Sequence, residues 1–215
     1  MSNLNKLITT KNQNSFHKQL NELIDAKNNS FSVTKSRNNN GRVIMAIRLY
    51  PSKGSTNYRR NVVFNLEFQL FKKEFIELLH KNRMKFDCHH HSNILFFIFP
   101  LDSQDIVSIY ELTSLTKQLV SEINLNPLKL HIPCLNFAIS LDLDAISFFD
   151  GNNLTQFWLY DFIDRTQILV KHANTDIYPS LLITYNFYQC LDSVLQNDFP
   201  KAYYINHIAC HGKQI

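Results

Sequence analysis

The apolar residues fall into two periods, and the alternation between them sketches the domain. Val43-Ile44-Met45-Ala46-Ile47-Arg48-Leu49-Tyr50 is a β-branched and apolar run stopped by Pro51, which predicts a buried strand. From Arg59 to Lys81 the period changes: Val62, Val63, Leu66, Leu70, Phe71, Phe75, Leu78 and Leu79 recur at three- and four-residue steps, the spacing of a long core-facing helix. Met84–Cys88 and Ile94–Phe99 predict two strands of a hairpin, with His89-His90-His91-Ser92-Asn93 as its polar turn. The second of these strands is apolar throughout, so it belongs in the middle of a sheet covered on both faces. Ile106, Ile109, Tyr110, Leu112, Leu115, Leu119 and Ile123 predict a second helix, capped by Asp102 or Ser103, with Pro127 just past it.

Further along, Leu135–Leu141 and Ala145–Phe149 read as two short strands with Asp142 and Asp144 at their junction, followed by the turn Asp150-Gly151-Asn152-Asn153. Asp161–Ala173 is helical in period, Leu181–Thr184 a strand, Asn186–Leu195 a helix and Ala202–Ile208 a closing strand. Residues 1–40 stand apart as a polar, Asn-rich extension in which Phe16, Leu20, Leu23 and Ile24 mark a short amphipathic helix; residues 41–215 form the compact domain. Strand, helix, hairpin, helix, hairpin, helix, strand, helix, strand is an α+β order, not a regular βαβ alternation.

Composition narrows the classes. With 45% hydrophobic and 19% charged residues the chain is far from the signature of disorder. The net charge of +4 is dispersed and indicates no nucleic-acid partner. No apolar run is long enough for a bilayer span and Met1-Ser-Asn-Leu-Asn-Lys lacks a signal-peptide core, so a cytoplasmic protein with no membrane contact is expected. The four cysteines (Cys88, Cys134, Cys190, Cys210) have no paired spacing and read as reduced thiols.

Several clusters invite a chemical reading. Cys88-His89-His90-His91 and His207, Cys210 and His211 contain zinc-type ligands. Alternate strand residues point to opposite faces, so His89 and His91 can converge while His90 cannot, and the absence of any Cys-x-x-Cys pair favours a plain polar turn. Asp142, Asp144 and Asp150 concentrate acid near a sheet end, a pattern read first as turn chemistry. No Walker-type loop and no Gly-x-Ser-x-Gly elbow occurs. Phe96, Phe97 and Phe99 read as core, not as a base-stacking platform.

Taken together over residues 42–208, the element order, the strand Leu95–Phe99, the hairpin signal Leu135–Phe149, the segment Trp158–Asn174 and Leu181–Leu191 resemble the class III adenylate and guanylate cyclase domain. The resemblance implies a ferredoxin-like, cyclase-type sandwich with a mostly antiparallel central sheet covered by helices. It also implies two metal-binding aspartates, which fall on Ala46 and Asn93, and a transition-state asparagine and arginine, which fall on Asp164 and Ile168. Arg165 and Lys171 lie close to the second pair, the base-selecting lysine falls near His89, and Trp158 opens the segment. Asn93, His89, Trp158 and Lys171 are thus the candidate nucleotide-binding residues, and Asp164 and Arg165 the degenerate catalytic positions.

No aspartate occurs between Asp25 and Asp87, so no shift of register restores the first metal ligand. The expectation is a degenerate cyclase-like domain without a cofactor, binding a nucleoside triphosphate or acting through a homodimer or a heterodimer with a related cyclase domain. One alternative is a divergent active cyclase that holds magnesium or manganese on Asp87, Asp142 or Asp144. The other is a ligand-free interaction module.

Overall fold

The computed structural model describes residues 41–51, 58–101, 105–125, 135–144 and 154–215; side chains are described outside 58–63, 144 and 154–162. The predicted helix around Phe16–Ile24, the predicted strand Ala145–Phe149 and the turn at Asp150 lie outside the described residues, as does Cys134. By chain compactness the protein divides into two units, Met1–Asn38 and Asn39–Ile215, and the described residues all belong to the second.

Its elements in order are β1 (Arg42–Pro51), α1 (Tyr58–Lys81), β2 (Asp87–His91), β3 (Ile94–Pro100), α2 (Ile106–Asn124), β4 (Leu135–Asp144), α3 (Leu154–His172), β5 (Leu181–Thr184), α4 (Tyr185–Gln189), α5 (Ser193–Gln196), β6 (Lys201–Ile205) and β7 (Ile208–Lys213). The described strands form one sheet in the order β2-β3-β1-β4-β5-β7-β6. Every neighbouring pair is antiparallel except β4 with β5. The fold is α+β, with a mostly antiparallel sheet between helices.

Both faces of the sheet are covered, which is why β1 and β3 lack polar alternation. On one face Ile44, Ala46, Phe96, Ile98, Ala138 and Leu182 pack against Leu169 and Val170 of α3 and Ala173 just past it. On the other, α1 brings Phe75 to 4.9 Å from Phe97, ring centroid to centroid, and stacks Phe71 on Phe75 at 5.5 Å. These aromatic pairs fill the volume between helix and sheet and contribute beyond their buried area.

The structure departs from the sequence-based elements at several places, among them the start of α3, which is Leu154 and not Asp161. β2 is Asp87–His91 and not Met84–Cys88, so the histidines stand in a strand and the turn shrinks to Ser92-Asn93, with Ser92 at φ 56. α2 is capped by Asp105, whose carboxylate accepts from Ser108 N at 2.6 Å, not by Asp102 or Ser103. β4 continues past Leu141, carrying Asp142 within it and ending at Asp144. The predicted helix Asn186–Leu195 is two short helices, because Asp192 caps a new start by accepting from Leu195 N. The closing strand is a hairpin: Asn206 and His207 adopt positive φ, 45 and 68, and return the chain as β7. No helix among the described residues is long and apolar enough to cross a membrane. Cys88, Cys190 and Cys210 are free thiols.

Candidate functional site

Three regions meet beside the far end of β1: the β2–β3 turn, the last turn of α3 and β1 itself. Strand period puts Ala46 and Arg48 on the same face, toward α3. Ala46 is fully buried in the apolar cluster under Leu169, Val170 and Ala173. Arg48 reaches further along. Its Nη1 donates to Lys171 O at 2.7 Å and its Nη2 to Ala173 O at 3.1 Å, while its guanidinium lies 4.7 Å from the Tyr50 ring centroid.

These carbonyls are among the orphans that a helix C-terminus leaves behind, and a cation there also complements the helix dipole. Asn174, at φ 57, ends the helix in the left-handed conformation and donates through Nδ2 to Phe137 O at 3.0 Å.

Asn93 completes the corner. Its Nδ2 donates to Leu49 O at 2.7 Å and its own carbonyl accepts from Leu49 N at 3.0 Å, so it fastens the hairpin turn to β1. Of the two positions that the resemblance assigns to metal aspartates, Ala46 brings no oxygen and sits in apolar core, and Asn93 is uncharged and donates its Nδ2 to backbone.

A second polar group lies deeper on the same face, at the opposite end of β1. Asp142 pairs across the sheet with Ile44, and its side chain is buried. Thr184 Oγ1 donates to Asp142 Oδ1 at 2.7 Å, and Arg165 Nε donates to Oδ2 at 3.0 Å. Burial pushes the Asp142 carboxyl above the ordinary aspartate value, against the opposing pull of the Thr184 hydroxyl and the Arg165 charge. Thr184 is also the N-cap of α4, accepting from Phe187 N at 3.4 Å. Ser140 joins the same seam by donating to Thr166 O at 2.8 Å. The turn-forming reading of Asp142 is therefore overturned: it is a strand residue whose buried carboxylate pairs with the partly exposed Arg165.

The remaining candidates scatter. Asp164 is exposed on α3, and its neighbour Arg165 turns inward to Asp142. Ile168 packs against the apolar cluster. Lys171 is exposed and takes part in the corner through its backbone carbonyl. His89 is exposed on β2, opposite Phe96. Trp158 lies on α3 with its side chain outside the described residues.

His211, grouped in sequence with His207 and Cys210, instead stacks on Tyr188 at 3.7 Å between ring centroids, while Cys210 is buried on the other face. Among the described residues no three His, Cys, Asp or Glu side chains are grouped to hold a metal ion.

The solved structure of the guanylyl cyclase Cya2 is similar to the chain at a TM-score of 0.50 and 8% identity, covering 80% of this chain and 90% of that one. The fold is cyclase-like. No protein-family model and no curated protein matches the sequence significantly. Within the cyclase-like fold, sequence reasoning missed Arg48 and the Asp142–Arg165–Thr184 group. A lone arginine in an otherwise apolar strand run was the available signal for the first. The second joins residues from β4, α3 and β5 and had no local signal.

Proposed function

We propose that the chain is a cyclase-like domain that does not carry out metal-dependent cyclisation and acts as a nucleotide-binding or regulatory protein through dimerisation. The observation that supports this most is Ala46: the β1 position that the resemblance gives to a metal carboxylate is apolar core beneath α3, and Arg48, next on that face, is spent on helix carbonyls. Two cations at such a site would have lowered the cost of an attacking 3′-oxyanion and stabilised a leaving pyrophosphate. Asp164 and Ile168 offer no positive charge for that role.

A divergent active cyclase needs other carboxylates to converge near Tyr50. Asp142 lies instead opposite Ile44 and is tied to Arg165 and Thr184, and Asp87 pairs with Ile98, three strands along the same row.

The deciding assay incubates the purified chain with each of the four nucleoside triphosphates and magnesium or manganese. No cyclic product is expected. A cyclic product formed at a rate abolished by Asn93→Ala or Asp164→Ala overturns the proposal. Thermal shift with the same nucleotides separates the nucleotide-binding reading from a ligand-free interaction module, since a ligand that binds only the folded state must raise its stability.

A further inference from the structure

The extension of β2 through His91 changes what the histidine run can do. A polar turn scatters side chains, whereas a strand aligns every second one on a common face. β2 is the terminal strand of the described sheet, and His89, His90 and His91 are all exposed on it. His89 pairs with Phe96 and His91 with Ile94, two buried apolar residues of β3 that offer the imidazoles no competing hydrogen bond. His90 pairs with Leu95 and belongs to the opposite face.

We infer that His89 and His91 form a bidentate surface site for a late first-row transition metal ion of the zinc, nickel or copper class. Two positions along a strand separate their α-carbons by about 6.8 Å, and imidazoles extending from the same face lean together over one ion with metal–nitrogen bonds of about 2.0–2.1 Å. Imidazole is a ligand type that these ions favour. Asp87 is on the same face but stands about 13 Å from His91 along the strand, too far to share that ion. Water fills the remaining coordination positions at this exposed edge.

The rival on the other face is Cys88 with His90. Cys88 is only partly exposed there, whereas His89 and His91 are both exposed. The His89–His91 pair is also distinct from Asn93, whose amide holds the turn to β1.

The test is calorimetric titration of the full chain with nickel chloride at mildly alkaline pH, after removal of adventitious metal with a chelator. One ion per chain is expected. His89→Gln and His91→Gln should each weaken binding by about tenfold or more, the scale on which even second-shell losses act. His90→Gln and Cys88→Ser should leave it unchanged. All four positions lie on the β2 edge, and circular dichroism of each variant checks that the fold is kept. Absence of binding by the unaltered chain overturns the inference, as does a loss in His90→Gln or Cys88→Ser equal to that in His89→Gln. So does undiminished binding by a folded His89→Gln/His91→Gln double variant.

Discussion

Asp142 is a carboxylate in a sheet interior, and its state depends on two neighbours that are remote in sequence. Removing one partner of a buried pair leaves an uncompensated charge, which costs about 3–5 kcal/mol when both partners are buried. The Arg165 side chain is 40% exposed, so water softens the loss; Arg165→Met should lower stability by about 1–3 kcal/mol in urea denaturation near neutral pH.

The sign of the pH dependence follows from the raised carboxyl. Between the ordinary value of 3.8 and the higher native value the folded state binds more protons than the unfolded one, so the stability contributed by this group falls as pH rises through that window. Taking away Arg165 removes a pull in the other direction and widens the window. Arg165→Met should therefore lose stability more steeply than the parent as pH rises above 3.8, and Asp142→Asn should flatten the curve. An Arg165→Met profile parallel to that of the parent would count against a charged Asp142–Arg165 pair.

Ala46 gives the complementary case: Ala46→Asp places a carboxylate among Leu169, Val170 and Ala173, and should cost about 3–5 kcal/mol without conferring cyclase activity. Denaturation and nucleotide assays on the same preparation check both parts.

Among the elements, those with a long and regular period were legible. α1, α2 and β3 appear where the apolar spacing put them, since a helix face or a doubly covered strand repeats one local rule many times. β2 was placed three residues too early, because Met84 and Phe86 carry the apolar signal while histidine has no marked strand preference, and the true span is set by its ladder with β3. β7 was missed because Asn206-His207 lacks the glycine that usually announces a two-residue hairpin turn.

That turn supplies a prediction. His207 at φ 68 sits in the region that costs an L-residue about 1–2 kcal/mol, so His207→Gly, after its own entropic cost, should stabilise the protein by about 0.5–1 kcal/mol and raise its melting temperature. Gly212 on β7 behaves in the opposite way. A Cβ there would meet Pro179 Cγ at 2.5 Å and Tyr203 Cε2 at 2.7 Å, and Gly212→Ala should destabilise by about 1–3 kcal/mol.

At the scale of the molecule, the fold is a cyclase-like sandwich with β1 in its apolar core, and the proposed role rests on that scaffold pairing with another. Sedimentation of the full chain, alone and mixed with a related cyclase domain, should show a dimer in one of the two; a monomer in both would count against the dimerisation proposal. The amino-acid order by itself determined the α+β class, the burial of β3 on both faces (though it lies beside the edge strand and not at the centre of the sheet) and the lack of any aspartate between Asp25 and Asp87, since each is a matter of local period or of composition.

Only the tertiary structure decided that Arg48 would meet the last carbonyls of α3, that Asp142 would be held by Arg165 and Thr184, and that three histidines would stand in a strand. Each of these depends on which strand lies beside which and in what register. That choice is made by packing between residues far apart in the chain, and no window of sequence contains both partners.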